Sequence, residues 1–200
     1  MVKLNETPIE YKYHDIPFLV YSEYLTNNPE NYAEVAKVEK KYVIGGAREK
    51  DCVSVSMYSP DGEFIGRRYK KHLTQGEIET GTIPANGEIS PFVIEKEKIE
   101  VLPIICYELL FPEDWLHLDI KPYFITHYIG FPMYDKIQDE AWFAMQKVLS
   151  LRFKCDVVVA CGEGREGINN SGIIFIRVGN HYASFLSINN ISNPSLGVPS

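Results

Sequence analysis

Ile99-Glu100-Val101-Leu102-Pro103-Ile104-Ile105-Cys106-Tyr107-Glu108-Leu109-Leu110-Phe111-Pro112-Glu113 is the stretch from which the fold is read. Its first half is almost continuously apolar. Such a strand is buried on both faces, as in a sheet with parallel strands covered by helices. The stretch therefore predicts a strand over 99–106 in an α/β layered domain. Pro103 cannot donate to a strand ladder, so it predicts a bulge or an edge position. Phe111-Pro112-Glu113-Asp114-Trp115 reads as a helix start, with Glu113 as favourable N-terminal charge. A cysteine thus ends a buried strand just before a helix-like segment. Exposed amides at such a junction favour an anion, either a thiolate or an oxyanion. A buried cysteine is more often an inert small hydrophobe, and position alone does not decide between the two.

The flanking sequence fits the same layers. Ile16-Pro17-Phe18-Leu19-Val20-Tyr21 reads as a buried strand, and Pro8 to Tyr13 supplies a further one. Asn28-Pro29 predicts a helix start, with Asn28 as N-cap and Pro29 in the first helical position. Tyr42-Val43-Ile44 begins a strand that closes at Gly45-Gly46. Val53 to Tyr58 and Phe64 to Leu73 form a hairpin around Pro60-Asp61-Gly62, where glycine supplies a positive φ. Thr74 to Ser90, with Gly76, Gly81, Pro84 and Gly87, reads as loop. Ile137, Ala141, Ala144, Met145, Val148 and Leu149 keep helical spacing and predict the buried stripe of a helix. Asp156 to Ala160, Gly172 to Val178 and Tyr182 to Ile188 read as strands, and Asn189 to Ser200 as a tail.

Composition narrows the function. The chain has 200 residues, 45% hydrophobic and 24% charged, with a formal charge of −7. That length predicts a single domain over 1–200. An acidic balance argues against a nucleic-acid surface, which needs clustered Lys and Arg. No apolar run approaches the ~20 residues that span a bilayer, so no membrane partner is expected. The N-terminus does not read as a secretory signal. Cys52, Cys106, Cys155 and Cys161 form no C-x-x-C pair. They read as reduced thiols of a cytoplasmic protein. No His pairs with another His or Cys at zinc-ligand spacing. Gly162-Glu163-Gly164-Arg165-Glu166-Gly167 matches G-x-G-x-x-G, but a strand rather than a helix follows it, so it reads as a loop.

Two motifs carry a resemblance. Lys70-Lys71-His72-Leu73 and Cys106-Tyr107-Glu108-Leu109-Leu110-Phe111-Pro112-Glu113 are similar to the lysine and cysteine elements of the nitrilase superfamily, the carbon–nitrogen hydrolases. Phe18-Leu19-Val20-Tyr21-Ser22-Glu23-Tyr24-Leu25 resembles the family's glutamate strand, with Ser22 where Pro is usual. The likeness runs from about Ile16 to Ile188. It departs at both ends: only about fifteen residues precede Ile16, where family members have a strand and a long helix, and the chain ends early after its last strand.

The resemblance implies a four-layer α-β-β-α sandwich with mixed sheets and a Glu23–Lys70–Cys106 catalytic set without cofactor or metal. Lys70 is the lysine that the family pattern selects, and Lys71 is then left solvated. Glu77 resembles a further family glutamate that orients the lysine or a water. Tyr107, through its backbone amide, and His127 are expected at the oxyanion and substrate, with Phe131 and Trp142 as further pocket candidates. Lys70 and helix-start amides are expected to lower the Cys106 pKa, making it the thiol alkylated first, with Cys161 as competitor. The implied activity is hydrolysis of a small amide or nitrile through a thioester. The alternatives are a soluble amide-forming acyltransferase and an inactive binding protein that keeps the fold. Family members commonly associate through a helical face, so a homodimer or larger assembly is expected, with Trp142 or Phe143 facing the partner.

Overall fold

The computed structural model describes residues 4, 8–130, 136–161 and 174–176. Among the described residues, ten strands fall into two mixed sheets of five. The first contains β1 (Ile9–Tyr13), β2 (Ile16–Val20), β3 (Tyr42–Arg48), β4 (Val53–Tyr58) and β5 (Phe64–Tyr69), side by side in chain order. The second is ordered β10 (Ile174–Ile176), β9 (Asp156–Cys161), β8 (Phe124–Ile129), β7 (Ile99–Ile105), β6 (Phe92–Ile94). Parallel pairing joins β2 to β3, β7 to β8 and β8 to β9. The helices are α1 (Asn31–Glu39), α2 (Gln75–Glu79), α3 (Pro112–Trp115) and α4 (Lys136–Phe153), with a 3₁₀ turn at Cys106–Leu110.

Period-2 alternation builds the layers. Phe18 and Val20 of β2 point between the sheets, where they join Ile44, Val55, Met57, Val101, Ile105 and Phe124. Their neighbours Leu19 and Tyr21 face the other way, onto Tyr32 and Ala36 of α1. On the second sheet, Leu102, Ile104, Ile125 and Val157 turn outward onto Trp142, Leu149 and Phe153 of α4. The order is therefore α1, sheet, sheet, α4, the α-β-β-α sandwich. Each fully buried Val, Leu, Ile or Phe contributes ~1.5–3 kcal/mol of transfer free energy. No helix among the described residues is long and apolar enough to cross a membrane.

Several local expectations change. Asn28 does not cap α1, which starts at Asn31 with Glu30 as its N-cap; its Oδ1 instead accepts from Glu30 N–H at 3.1 Å in the turn before the helix. Gly45 and Gly46 do not end β3; it runs on to Arg48. Gly46 is there because a Cβ would overlap the backbone of Glu23, which passes alongside. Gly62 has φ 75° in the β4–β5 turn, as its position predicts. Residues 74–90 are not all loop, since α2 lies within them. Pro103 sits in β7 where β6, whose pairing covers Ile99 to Val101, has ended.

The stripe read for α4 is the larger correction. Ile137, Ala141, Ala144 and Val148 are exposed; the buried side carries Trp142, Gln146, Leu149, Ser150 and Phe153. Trp142 therefore packs inward, into the core beneath α4. The expected strand over 182–188, the tail, the glycine loop at 162–167 and Phe131 lie outside the described residues.

Candidate active site

Three strand ends deliver the site. Glu23 follows β2, Lys70 follows β5 and Cys106 follows β7. The chain past β2 stays tied to β3 through Tyr21 N–H to Ile44 C=O and Gly46 N–H to Ser22 C=O. Lys70 N–H still bonds the Val53 carbonyl at 2.8 Å, so β5's ladder fixes its direction. Glu77 comes from α2, whose N-cap is Thr74. The Thr74 hydroxyl accepts from Glu77 N–H, and Glu77 Oε2 accepts from Thr74 N–H at 2.7 Å, a capping box.

Lys70 is 1% exposed. Its Nζ donates to Glu23 Oε1 at 2.7 Å and to Glu77 Oε1 and Oε2 at 2.8 and 3.0 Å. Tyr24 Oη donates to Glu77 Oε1 as well. Glu23 is fully buried, and its Oε2 has no nitrogen or hydroxyl partner. The Cys106 thiol lies near enough to this carboxyl for the two to act on each other electrostatically. Cys106 is partly exposed and adopts φ 49°, the left-handed region. Tyr107 follows it in the 3₁₀ turn, its ring edge-on to Phe111.

The environments separate the two carboxylates. Burial pushes the Glu23 carboxyl above the usual range and outweighs the Lys70 charge. Burial acts the same way on Glu77, but Lys70 and donors from Tyr24 and Thr74 outweigh it and hold Glu77 low. Burial would lower the Lys70 pKa; Glu23, Cys106 and Glu77 more than reverse this, so the ammonium persists. Pairs of groups driven apart in this way mark acid–base roles. Glu77 is held charged as a counterion of Lys70, and Glu23 holds a proton more readily than an ordinary carboxyl. Burial and the Glu23 charge raise the Cys106 pKa well above its ordinary value, against the lowering effect of Lys70. This overturns the low-pKa thiol expected from Lys70 and helix-start amides. The direction favours the thiol over the thiolate.

Glu23, Lys70, Glu77 and Cys106 thus converge, with Tyr107 beside them. His127 does not join them. It is fully buried under the 3₁₀ turn, its Nε2 on the Cys106 carbonyl at 3.1 Å and its ring stacked on Trp142. Burial lowers its pKa to about 4. Lys71 is half-buried rather than solvated, its Nζ on Asp114 at 2.8 Å. Asp114 also meets His72, whose ring stacks on Phe111. Sequence reasoning missed Tyr24, Arg68 and Gln146 altogether. It missed α2 although Thr74-x-x-Glu77 is a capping-box signature. Among the described residues no cluster of three His, Cys, Asp or Glu could hold a metal ion.

Comparison with known proteins places this geometry. A family model described as carbon-nitrogen hydrolase matches residues 10–178. Among solved structures, a carbon-nitrogen hydrolase from Helicobacter pylori G27 is similar at 18% identity, TM-score 0.62, over 80% of this chain and 67% of that one. Saccharomyces cerevisiae Nit3, a nitrilase-superfamily member, matches at 14% identity, TM-score 0.63, over 80% and 68%. A mutant of the Nesterenkonia sp. AN1 amidase matches at 13% identity, TM-score 0.60, over 80% and 71%; in it acrylamide has added to the active site cysteine. No curated protein sequence matches at a significant level. The solved structures bear on the fold alone, whereas the family model covers most of the chain, so the chain belongs to the carbon–nitrogen hydrolase family.

Proposed function

We propose that this chain hydrolyses the C–N bond of a small amide or nitrile through a thioester on Cys106. The observation that carries the reading is the Lys70 ammonium, buried between Glu23 and Glu77 next to a thiol on a left-handed residue. With an amide, Glu23 takes the thiol proton as sulfur attacks the carbonyl carbon. The oxyanion that forms is held by Lys70 and by the backbone N–H of Tyr107; one such donor is worth ~3 kcal/mol in the transition state. Glu23 returns the proton to the leaving nitrogen, the C–N bond breaks and ammonia or an amine departs. Glu23 then deprotonates a water that attacks the thioester. The C–S bond breaks, the acid leaves and the thiol recovers its proton.

The test is ammonia release from a panel of small amides and nitriles, with intact-mass detection of acylated Cys106. Release that disappears in Cys106→Ala supports the reading. An acylated enzyme that turns over only when an amine is supplied points instead to a transferase. Neither acylation nor release, with Cys106 open to acrylamide, points to a binding protein.

We also propose self-association through the outer face of α4. What supports it is apolar exposure where the helix meets solvent: Ile137 is 79% exposed, Leu151 62% and Val148 42%. Sedimentation as a clean monomer at micromolar concentration would refute it.

A further inference from the structure

The peptide unit between Cys106 and Tyr107 is planar, so its carbonyl and its amide N–H point in opposite directions. Holding one aims the other. The carbonyl meets His127 Nε2 at 3.1 Å. A carbonyl oxygen only accepts, so Nε2 carries the hydrogen, and in a neutral ring Nδ1 is then the acceptor. Nδ1 meets Gln146 Nε2 at 3.0 Å, which donates. Gln146 and His127 are both buried, and Trp142 stacks on the imidazole with centroids 5.0 Å apart. On the other side of Cys106, Ile105 N–H is held by Glu108 Oε2 at 2.9 Å. A non-glycine residue in the left-handed region costs roughly 1–2 kcal/mol and persists only where its surroundings fix it. These bonds are what fixes Cys106.

We infer that His127 and Gln146 are positioning residues for the oxyanion site. Gln146 sets the His127 tautomer, His127 pins and polarises the Cys106–Tyr107 peptide, and the Tyr107 N–H is thereby aimed at the oxygen that gains charge. Linked hydrogen bonds of this kind strengthen one another. The inference rests on the reading of Cys106 as the nucleophile. Burial keeps the ring neutral to about pH 4. The charged groups acting on it are Glu108 and Lys70.

Two reactions of one thiol test it. Amide hydrolysis builds an oxyanion; alkylation by iodoacetamide forms an S–C bond, expels iodide and builds none. His127→Leu should lower kcat for the best amide about 100-fold with little change in KM, while Cys106 alkylation keeps its rate. Gln146→Leu should show the same split, about tenfold in kcat. A parallel fall in both reactions marks a merely structural role and overturns the inference, as does an unchanged kcat. Wild-type enzyme that alkylates at Cys106 but hydrolyses nothing overturns the catalytic reading itself. If His127→Leu does not fold, Gln146→Glu decides. The introduced carboxylate draws the imidazole hydrogen to Nδ1, so Nε2 faces the carbonyl bare, and protonation of the ring restores the donor. The ratio of variant to wild-type kcat should therefore rise as pH falls. A flat ratio overturns the inference.

Discussion

Arg68 and Lys70 stand two positions apart at the end of β5, and both are buried against carboxylates, yet the two clusters end differently. Arg68 meets Glu108 in a fork of two bonds. Both Glu108 oxygens are used again, Oε1 by Lys71 N–H at 2.7 Å and Oε2 by Ile105 N–H at 2.9 Å. Arg68 adds the Pro103 carbonyl at 2.8 Å. One cation meets one anion, and the carboxylate is saturated, although Arg68 Nε is left without a partner. Lys70 instead has two carboxylates, and Glu23 Oε2 is left over beside a thiol. The first cluster ties the sheet that carries Lys70 to the strand that carries Cys106. The second holds surplus negative charge and a place for a proton. A saturated carboxylate goes with architecture here, and the surplus goes with the site proposed for chemistry.

Breaking the surplus cluster should have the largest effect on turnover. Cys106→Ala should reduce ammonia release to background. Glu23→Gln should lower kcat by roughly 10³-fold, since one carboxylate serves each proton transfer. It leaves Lys70 paired one-to-one with Glu77, so thermal stability should hold or rise. A large fall in Tm instead would mean that Glu23 is structural.

The saturated cluster should answer in the opposite way. Glu108→Gln strands a buried guanidinium, which costs roughly 3–5 kcal/mol. For a chain of this size that lowers Tm by roughly 10 °C. Arg68→Met with Glu108→Gln should recover much of it, because the stranded guanidinium is gone while the amide oxygen still accepts from a backbone N–H. Calorimetry of the two single variants and the double variant gives the coupling directly. A double variant as unstable as either single one would mean that the pair is not the link between the sheets.

The difference between the clusters was legible in the sequence only in part. Strand ends, Cys106 and the choice of Lys70 could be read because each is a local pattern. The Arg68–Glu108 fork could not, since its partners lie 40 positions apart and neither stands out alone. The Cys106 pKa was misread for a related reason. A lysine nearby is visible in a motif, but the burial that outweighs it is not. His127 was placed at the substrate because histidines often work there; that Gln146 of α4 would claim its Nδ1 depends on helix rotation. That rotation was misread too, because alanines and exposed aliphatics gave the stronger pattern.

A smaller effect sharpens the comparison through pH. The Glu23 pKa is raised on folding, so its share of stability is whole below the ordinary carboxylate pKa of about 4.3 and is lost as pH rises through the folded value. The Glu77 pKa is lowered, so its share is present above that ordinary value and is lost as pH falls through the folded one. His127, with its pKa lowered to about 4, loses stabilisation as pH falls toward that value. Glu77 and His127 are present in wild type and Glu23→Gln alike. The Tm difference between the two, variant minus wild type, should therefore widen as pH rises from about 4 toward neutrality. A difference that narrows over that range would mean that Glu23 is a stabilising ion-pair partner like Glu108.

Thr74→Ala should have the smallest effect, and it lies where architecture and chemistry meet. Thr74 is the N-cap of α2, and its capping partner is Glu77, the counterion of Lys70. The Thr74 hydroxyl also bonds Glu77 Oε2 at 3.0 Å. Loss of an N-cap costs ~1 kcal/mol, which is ~2–4 °C in Tm. Lys70 Nζ, Tyr24 and Thr74 N–H remain to hold Glu77, so the carboxylate should stay in place. Turnover should fall by no more than about threefold, or ~0.6 kcal/mol, the low end of what one hydrogen bond contributes. Thr74→Ser, which keeps the hydroxyl, should restore both properties. A fall in kcat of about 100-fold in Thr74→Ala at nearly unchanged Tm would place Glu77 in the chemistry itself, since a fixed counterion held by three other donors has no such sensitivity.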